Sequence, residues 1–360
     1  MDKIIKKVLN VIEKNGYEAY VVGGYVRDLL LKRPSYDIDV CTNALPKNIK
    51  MMFQKGELTE YGNFFFKIKK YDFEITTYRK EIGYEKRRPK EVVYINNLIE
   101  DLLRRDFTIN TICMNQNGVI IDLLNGCEDL NYKIVRMVGN PDLKLKEDPL
   151  RILRAIRFAT ILDFEIEQSL NIAIKNNCKE LENLSSYRIK EELDKILISE
   201  NALKGIELLK KNNILKLFKI TANNIVKVND LIGMWAQIDL GVELPFTKED
   251  KNNIIKLKEI IQKGIIDELT LYKYGLYLCT VASEILKLDK RDVNKKYKSL
   301  SIYSAKDLCV SSSEICKFLD INKDKKLGEI INELILKILF KEIANTKKDV
   351  YKYLQSIKEN

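Results

Sequence analysis

Residues 21–40 read VVGGYVRDLLLKRPSYDIDV, and their pattern organises the reading of everything around them. The apolar run closes on Gly23-Gly24, a pair that turns the backbone tightly and lets it approach a ligand with no Cβ in the way. Val26, Leu29 and Leu30 follow at helical spacing, which places the glycines at a helix start, where free N–H groups favour phosphate. Asp37-Ile38-Asp39-Val40 then alternates with the period of a strand. Residues i and i+2 of a strand face the same way, so Asp37 and Asp39 present two carboxylates side by side while Ile38 and Val40 turn into a core. Two adjacent like charges call for a cation between them. Mg²⁺ suits them, since it takes a few carboxylates and completes its shell with water and phosphate oxygens. A DxD alone is a weak signal. Preceded at this spacing by Gly-Gly and Arg27-Asp28, it is the minimum equipment for metal-assisted nucleotidyl transfer.

Composition bounds the rest. A chain of 360 residues exceeds one ordinary core and predicts two to four domains. With 46% hydrophobic and 32% charged residues it reads as globular, not disordered. Lys and Arg outnumber Asp and Glu by 62 to 52, and the resulting charge of +10 favours a polyanionic partner. Seven scattered cysteines without a C-x-x-C read as reduced core residues of a cytoplasmic protein, not a disulfide frame or zinc site. The N-terminus shows no signal-peptide core, and no apolar run approaches the ~18 residues of a membrane span. There is no histidine. Its absence excludes His acid–base catalysis, His-ligated metals and a phosphohydrolase domain built on a His-Asp pair.

Along the chain, Ile4, Ile5, Val8, Leu9 and Ile12 mark a first amphipathic helix ended by Asn15-Gly16. A strand over 19–22 enters the opening motif, and a helix is expected near 46–53. Residues 61–79 predict two strands around Lys69-Lys70. Residues 81–90, EIGYEKRRPK, predict a mobile loop, with strands resuming at 91–95 and a hairpin turning at Asn117-Gly118. From Pro149 onward strand signals nearly vanish and helical periodicity runs to the end. The expected fold class is therefore α+β multidomain: a mixed-sheet head followed by helical domains, with a boundary near residue 146.

Further residues carry chemistry. Glu74 lies on a predicted strand with Phe73 and Ile75 facing away; it is either a third metal carboxylate or a strand glutamate paired with Arg79 or solvent. Residues 104–110 read RRDFTIN. The guanidinium forks of Arg104 and Arg105 suit a triphosphate, and Asp106 and Asn110 offer partners to a ribose hydroxyl. Asp122-x3-Gly126-x2-Asp129 with Arg136 reads as structural, a turn into a short helix. Glu147-Asp148-Pro149-Leu150-Arg151, followed by Arg154 and Arg157, opens another helix. Asp148 and Arg151 share a face of it, either as a simple i,i+3 ion pair at a helix start or as a pair that reads a base. Cytosine and adenine both offer an amine beside an unprotonated ring nitrogen, so one Asp–Arg pair can accept from the first and donate to the second. Uracil and guanine would leave both contacts unsatisfied, at ~1–3 kcal/mol each. Residues 185–197, beginning Ser185-Ser186-Tyr187-Arg188, start a supporting helix.

These motifs, in this order, resemble the family of class II tRNA nucleotidyltransferases and bacterial poly(A) polymerases within the DNA polymerase β superfamily. The resemblance covers residues ~17–197. It implies a polymerase β-like head over 1–145, a base-recognising neck over 146–205, a helical body over 206–270 and a tRNA-binding tail over 271–360. It implies addition of CMP and AMP to the tRNA 3′ end from CTP and ATP, with Mg²⁺ held by Asp37 and Asp39. Gly23, Gly24, Arg27, Arg104 and Arg105 would bind triphosphate and ribose, with Asp106 and Asn110 beside them. Glu147, Asp148, Arg151, Arg154 and Arg157 would form the base pocket. Basic clusters in the helical half suit phosphates of a tRNA arm, among them Lys287, Lys290, Arg291, Lys295, Lys296 and Lys298. Family members that add only A, only CC, or poly(A) are the alternatives. The full-length segment over 78–89 disfavours CC alone. Gly62-Asn63-Phe64-Phe65-Phe66 lacks the Gly-basic-basic-Phe run associated with poly(A) polymerases. A non-catalytic RNA-binding protein on the same scaffold is the reading from another class, and the intact Asp pair argues against it.

Overall fold

The computed structural model describes residues 2–59, 62–85 and 88–359. Two compact units emerge. One comprises residues 1–220 with 240–244, the other residues 221–239 with 245–360.

The first unit begins with α1 (Lys3–Lys14), capped by Asp2, whose carboxylate accepts from the Ile4 N–H. Its apolar stripe Ile5, Val8, Leu9 and Ile12 is buried, and Gly16 takes a φ of +84° just beyond its end. Then follow β1 (Ala19–Val22), α2 (Gly24–Leu30), β2 (Asp37–Thr42), α3 (Pro46–Met52), β3 (Glu57–Leu58), β4 (Phe64–Ile68) and β5 (Tyr71–Thr77). After β6 (Arg79–Glu85) and β7 (Arg88–Tyr94) come α4 (Leu98–Leu103), β8 (Cys113–Met114), β9 (Ile120–Ile121) and α5 (Gly126–Asn131). Seven strands form one mixed sheet in the order β3-β4-β5-β2-β1-β8-β9. Within it β2 and β5 run parallel and the other pairs antiparallel. Ile38, Val40, Phe73 and Ile75 are buried on one face, as the alternation requires.

The expected mobile loop over 81–90 is corrected by the structure. β6 and β7 pair as an antiparallel hairpin, with Arg79 opposite Tyr94 and Glu85 opposite Arg88. Gly and Pro among charged residues look like punctuation in the sequence, but the hairpin register absorbs both: Gly83 takes a φ of +60° and Pro89 sits on a strand outside the main sheet. Residues 86 and 87 of that segment, and Tyr61 at the start of the predicted strand pair, lie outside the described residues.

The same unit continues through β10 (Ile134–Val135), α6 (Pro141–Glu147), α7 (Leu150–Leu162), β11 (Glu165–Ile166), α8 (Gln168–Asn177), α9 (Ser186–Ile198), α10 (Ala202–Lys211) and α11 (Ile214–Leu217). β10 and β11 make a parallel pair too short to show a sequence period. Asp129 acts as structural support: it accepts from Thr108 Oγ1 at 2.6 Å and from Arg136 Nε at 3.0 Å. Gly126 is obligatory there, since a Cβ would stand 2.3 Å from the Thr108 carbonyl oxygen.

The second unit is helical: α12 (Leu231–Ala236), α13 (Lys248–Lys263), α14 (Glu268–Ile285), α15 (Lys290–Lys298), α16 (Ser312–Leu319), α17 (Lys325–Leu339) and α18 (Lys347–Glu359). Trp235 is buried with an edge-to-face contact to Phe246, ring centroids 5.3 Å apart. α14 kinks at Gly275, where φ is +78°. Among the described residues, no helix is long and apolar enough to cross a membrane.

Candidate active site

A cleft of about 470 Å³ in the first unit collects most of the residues singled out from sequence. Its floor is the glycine turn. Gly23 takes a φ of +79° and caps α2, and a Cβ there would lie 3.2 Å from Asp39 Oδ2. The turn thus brings backbone against the carboxylate, as a side chain would not allow.

Asp37 is exposed at the start of β2 and Asp39 is half-buried on the same face. On the parallel neighbour β5, Glu74 stands directly opposite Asp39. Asp37, Asp39 and Glu74 therefore share one face across two strands, together with Asp72, which stands opposite Asp37. Burial pushes the Asp39 carboxyl above its ordinary value; Arg105 opposes this and Asp37 adds to it. Glu74 is raised by burial and then by Asp39. This crowding, with oxygen the only donor, fits a hard divalent cation. Among the described residues no three acidic or thiol groups converge closely enough to form a metal cluster as they stand. Glu74 meanwhile accepts from Asn63 Nδ2 at 2.8 Å, and Arg79 donates instead to Glu81 and Asn63.

The arginines are held by carboxylates that the sequence pattern did not single out. Asp101 on α4 is fully buried and receives Arg104 Nε at 2.8 Å and Arg105 Nη2 at 3.4 Å. It also accepts from the Arg79 backbone N–H at 3.2 Å. The spacing of three and four residues on a helix was the readable signal. Glu81, on the hairpin, lies 3.5 Å from Arg104 Nη1 and accepts from Tyr84 Oη at 2.5 Å. Arg27 is buried, chelates its neighbour Asp28 and donates to Asn110 Oδ1 at 2.7 Å. Asn110 in turn donates to Asp106 at 3.1 Å, and Arg154 pairs with Asp106 across from α7. Burial alone would raise the Asp106 carboxyl, but Arg154 and Asn110 outweigh it and hold it down at about 2.

Asp148 and Arg151 line the same cleft. Asp148 ends α6 and accepts from the Leu150 N–H at 3.1 Å. Arg151 is buried and donates to the Lys144 carbonyl at 2.9 Å, to Glu147 at 3.2 Å and to the Arg104 carbonyl at 3.4 Å. Glu147 thus positions Arg151. Phe158, also not anticipated, sits under three guanidinium groups: Arg27, Arg154 and Arg157 lie 5.1, 5.5 and 4.4 Å from its ring centre. Arg157 Nε is 2.9 Å from Glu192 of α9, an ion contact without hydrogen-bond alignment. The supporting role expected of the helix after Ser185 is realised through Glu192.

The six cations named in the basic half all belong to the second unit and are exposed. Arg291, Lys295 and Lys298 fall at i, i+4 and i+7 of α15 and share one face. Lys290 pairs with Glu284, and Lys296 donates to the Ile266 carbonyl at 3.1 Å. Lys287 lies in the turn before the helix, with a φ of +57°.

Comparison with known proteins agrees over the whole length. Residues 19–136 match the family model of the poly(A) polymerase head domain. Residues 163–223 match that of the RNA- and SrmB-binding site of polymerase A, and residues 242–354 that of tRNA nucleotidyltransferase domain 2. A CCA-adding enzyme of Ligilactobacillus salivarius is 33% identical over 380 residues, covering 95% of this chain and 94% of its own. One from Limosilactobacillus reuteri is 32% identical over 374 residues, covering 94% and 93%. The fold is that of the Bacillus stearothermophilus CCA-adding enzyme solved in complex with CTP, with a TM-score of 0.86 at 24% identity, covering 100% and 98% of the two chains.

Proposed function

The chain belongs to the family of CCA-adding enzymes, and from that premise we propose that it adds CMP and then AMP to the 3′ end of tRNA, using CTP and ATP and releasing pyrophosphate. One observation carries the reading: a single cleft joins the glycine turn against Asp39, the Arg104–Arg105 pair and the Asp148–Arg151 edge.

Asp37 and Asp39, with Glu74 opposite, would hold Mg²⁺. Bound there, the ion would offset the crowded negative charge and favour loss of the 3′-hydroxyl proton and departure of pyrophosphate. Arg104 and Arg105 receive the triphosphate, and their buried partner Asp101 fixes the direction of both forks. Asp106 and Asn110 face the ribose. Asp148 accepts from the exocyclic amine of cytosine or adenine, and Arg151 donates to the adjacent ring nitrogen. Glu147, Arg154 and Arg157 shape this base edge. The oxygen of the RNA 3′-hydroxyl forms a bond to the α-phosphorus as the bond to the β-phosphate oxygen breaks. Residues 1–145 act as catalytic head and 146–205 as neck, with body and tail over 206–270 and 271–360 supplying phosphate contacts to tRNA.

The test is direct. The protein is incubated with CTP and ATP together, one of them labelled, and tRNAs lacking the last one, two or three nucleotides. All three substrates should be completed to CCA. Incorporation of AMP alone would make the chain an A-adding or poly(A)-adding member, and no incorporation would leave a non-catalytic RNA binder.

A further inference from the structure

The register of the head sheet extends the catalytic face beyond the carboxylates. Asp39 stands opposite Glu74 on β5, and Glu74 stands opposite Phe65 on β4. One step along, Asp37 is opposite Asp72 and Asp72 is opposite Lys67. Directly opposed residues project to the same face, so Phe65 and Lys67 share the face of the Asp pair. The neighbouring aromatics do not. Phe53, Phe66 and Phe73 stack at 5.1 and 5.0 Å on the other face. Phe65 alone of this group is 41% exposed, and it lines an open groove of about 560 Å³ with Lys55, Glu57, Lys67, Asp72 and, from the other face, Phe66 and Phe73.

The chemistry of transfer says what approaches from there. Groups assigned to the incoming nucleotide reach Asp39 from the β1 side: Gly23 follows β1, and Arg105, for the triphosphate, and Asn110, for the ribose, precede β8, which pairs with β1. In-line displacement requires the attacking oxygen to arrive opposite the leaving pyrophosphate. The RNA end must therefore come over β5 and β4. Two strand spacings, about 10 Å, separate Phe65 from Asp39, within the span of a terminal nucleotide and the one before it.

We propose that Phe65 is the stacking platform for a base at the 3′ end of the RNA acceptor, with Lys67 placed for that strand's phosphate. The proposal rests on Asp37 and Asp39 being the reacting centre. Stacking tolerates any base, which suits an acceptor whose last base changes as the reaction proceeds. Lys67 donates to Asp72 at 3.0 Å, but both side chains are more than half exposed, so the pair holds the lysine weakly.

Wild-type protein and the variants Phe65→Ala, Phe65→Trp and Lys67→Gln are assayed with a tRNA lacking only its last nucleotide. Phe65→Ala should raise the apparent KM for tRNA roughly tenfold, the loss of one stacked base, and leave the KM for ATP unchanged. Phe65→Trp should restore the wild-type value, which a merely structural role would not predict. Lys67→Gln should raise the tRNA KM to a smaller degree and weaken its dependence on salt. A tRNA ending in 2-aminopurine should lose fluorescence on binding wild type and keep it with Phe65→Ala. If wild type adds AMP while Phe65→Ala keeps both its tRNA KM and the quenching, the platform is overturned. If wild type adds nothing, the functional reading falls first, and the fluorescence arm alone decides whether Phe65 stacks on RNA.

Discussion

The cleft of the first unit and the basic helix α15 of the second handle charge in opposite ways. In the cleft, Arg27 and Arg151 are buried, Arg104 and Arg105 are half-buried, and each is held by a specific carboxylate or carbonyl. On α15 the cations are exposed, and only Val293 of that helix is buried. Buried charge must be matched by geometry, because an uncompensated ion away from water is costly. Exposed charge needs only density, because long-range attraction to a polyanion tolerates displacement of any one lysine. A cleft built of buried charge thus demands fixed letters, whereas an exposed basic helix does not.

The sharpest way to break this contrast is at the carboxylate pair. Asp39→Ala should lower incorporation by roughly a thousandfold or more, the several kcal/mol ascribed to metal-assisted charge stabilisation. Binding of tRNA, measured by filter retention, should persist. Near-normal incorporation would remove Asp39 from the reacting centre.

Next in size is the buried support. Asp101→Asn leaves Arg104 and Arg105 without their shared counter-charge, so the first unit should lose about 3–5 kcal/mol of stability. Chemical denaturation reads this directly. A variant as stable as wild type would mean that the two guanidinium groups find other partners.

Asp148→Ala should act on selection, not folding. Discrimination against UTP and GTP should fall by roughly tenfold to a hundredfold, the cost of an unpaired buried polar group. The KM for the triphosphate moiety should change less. Unchanged selectivity would reduce Asp148 to the end of α6.

The smallest effect belongs to α15. Replacing Arg291, Lys295 and Lys298 by Gln together should leave incorporation at saturating tRNA intact. The slope of log affinity against log salt should shrink by about 0.7–0.9 for each phosphate contact removed. An unchanged slope would clear this face of the helix from the RNA.

The letters alone determined the family and much of the head's local structure. Gly23-Gly24, Asp37-x-Asp39, the Arg104–Asn110 run and Glu147 to Arg157 sit within short segments, and each follows a period or a turn rule that needs no knowledge of distant partners. β4 and β5 fall on the two strands predicted around Lys69-Lys70, and α1 buries Ile5, Val8, Leu9 and Ile12 of its predicted stripe while Ile4 is half-buried. What only the tertiary structure decided depends on residues far apart in sequence. Whether the segment 81–90 is a loop or part of a hairpin turns on cross-strand pairing, which composition does not reveal. That Asp106 meets Arg154 and Arg157 meets Glu192 depends on how α7 packs within the first unit, since one partner in each case lies outside the helix. The shared face of Asp39, Glu74 and Phe65 exists only once three strands are in register, because a shift of one residue turns a side chain to the opposite face.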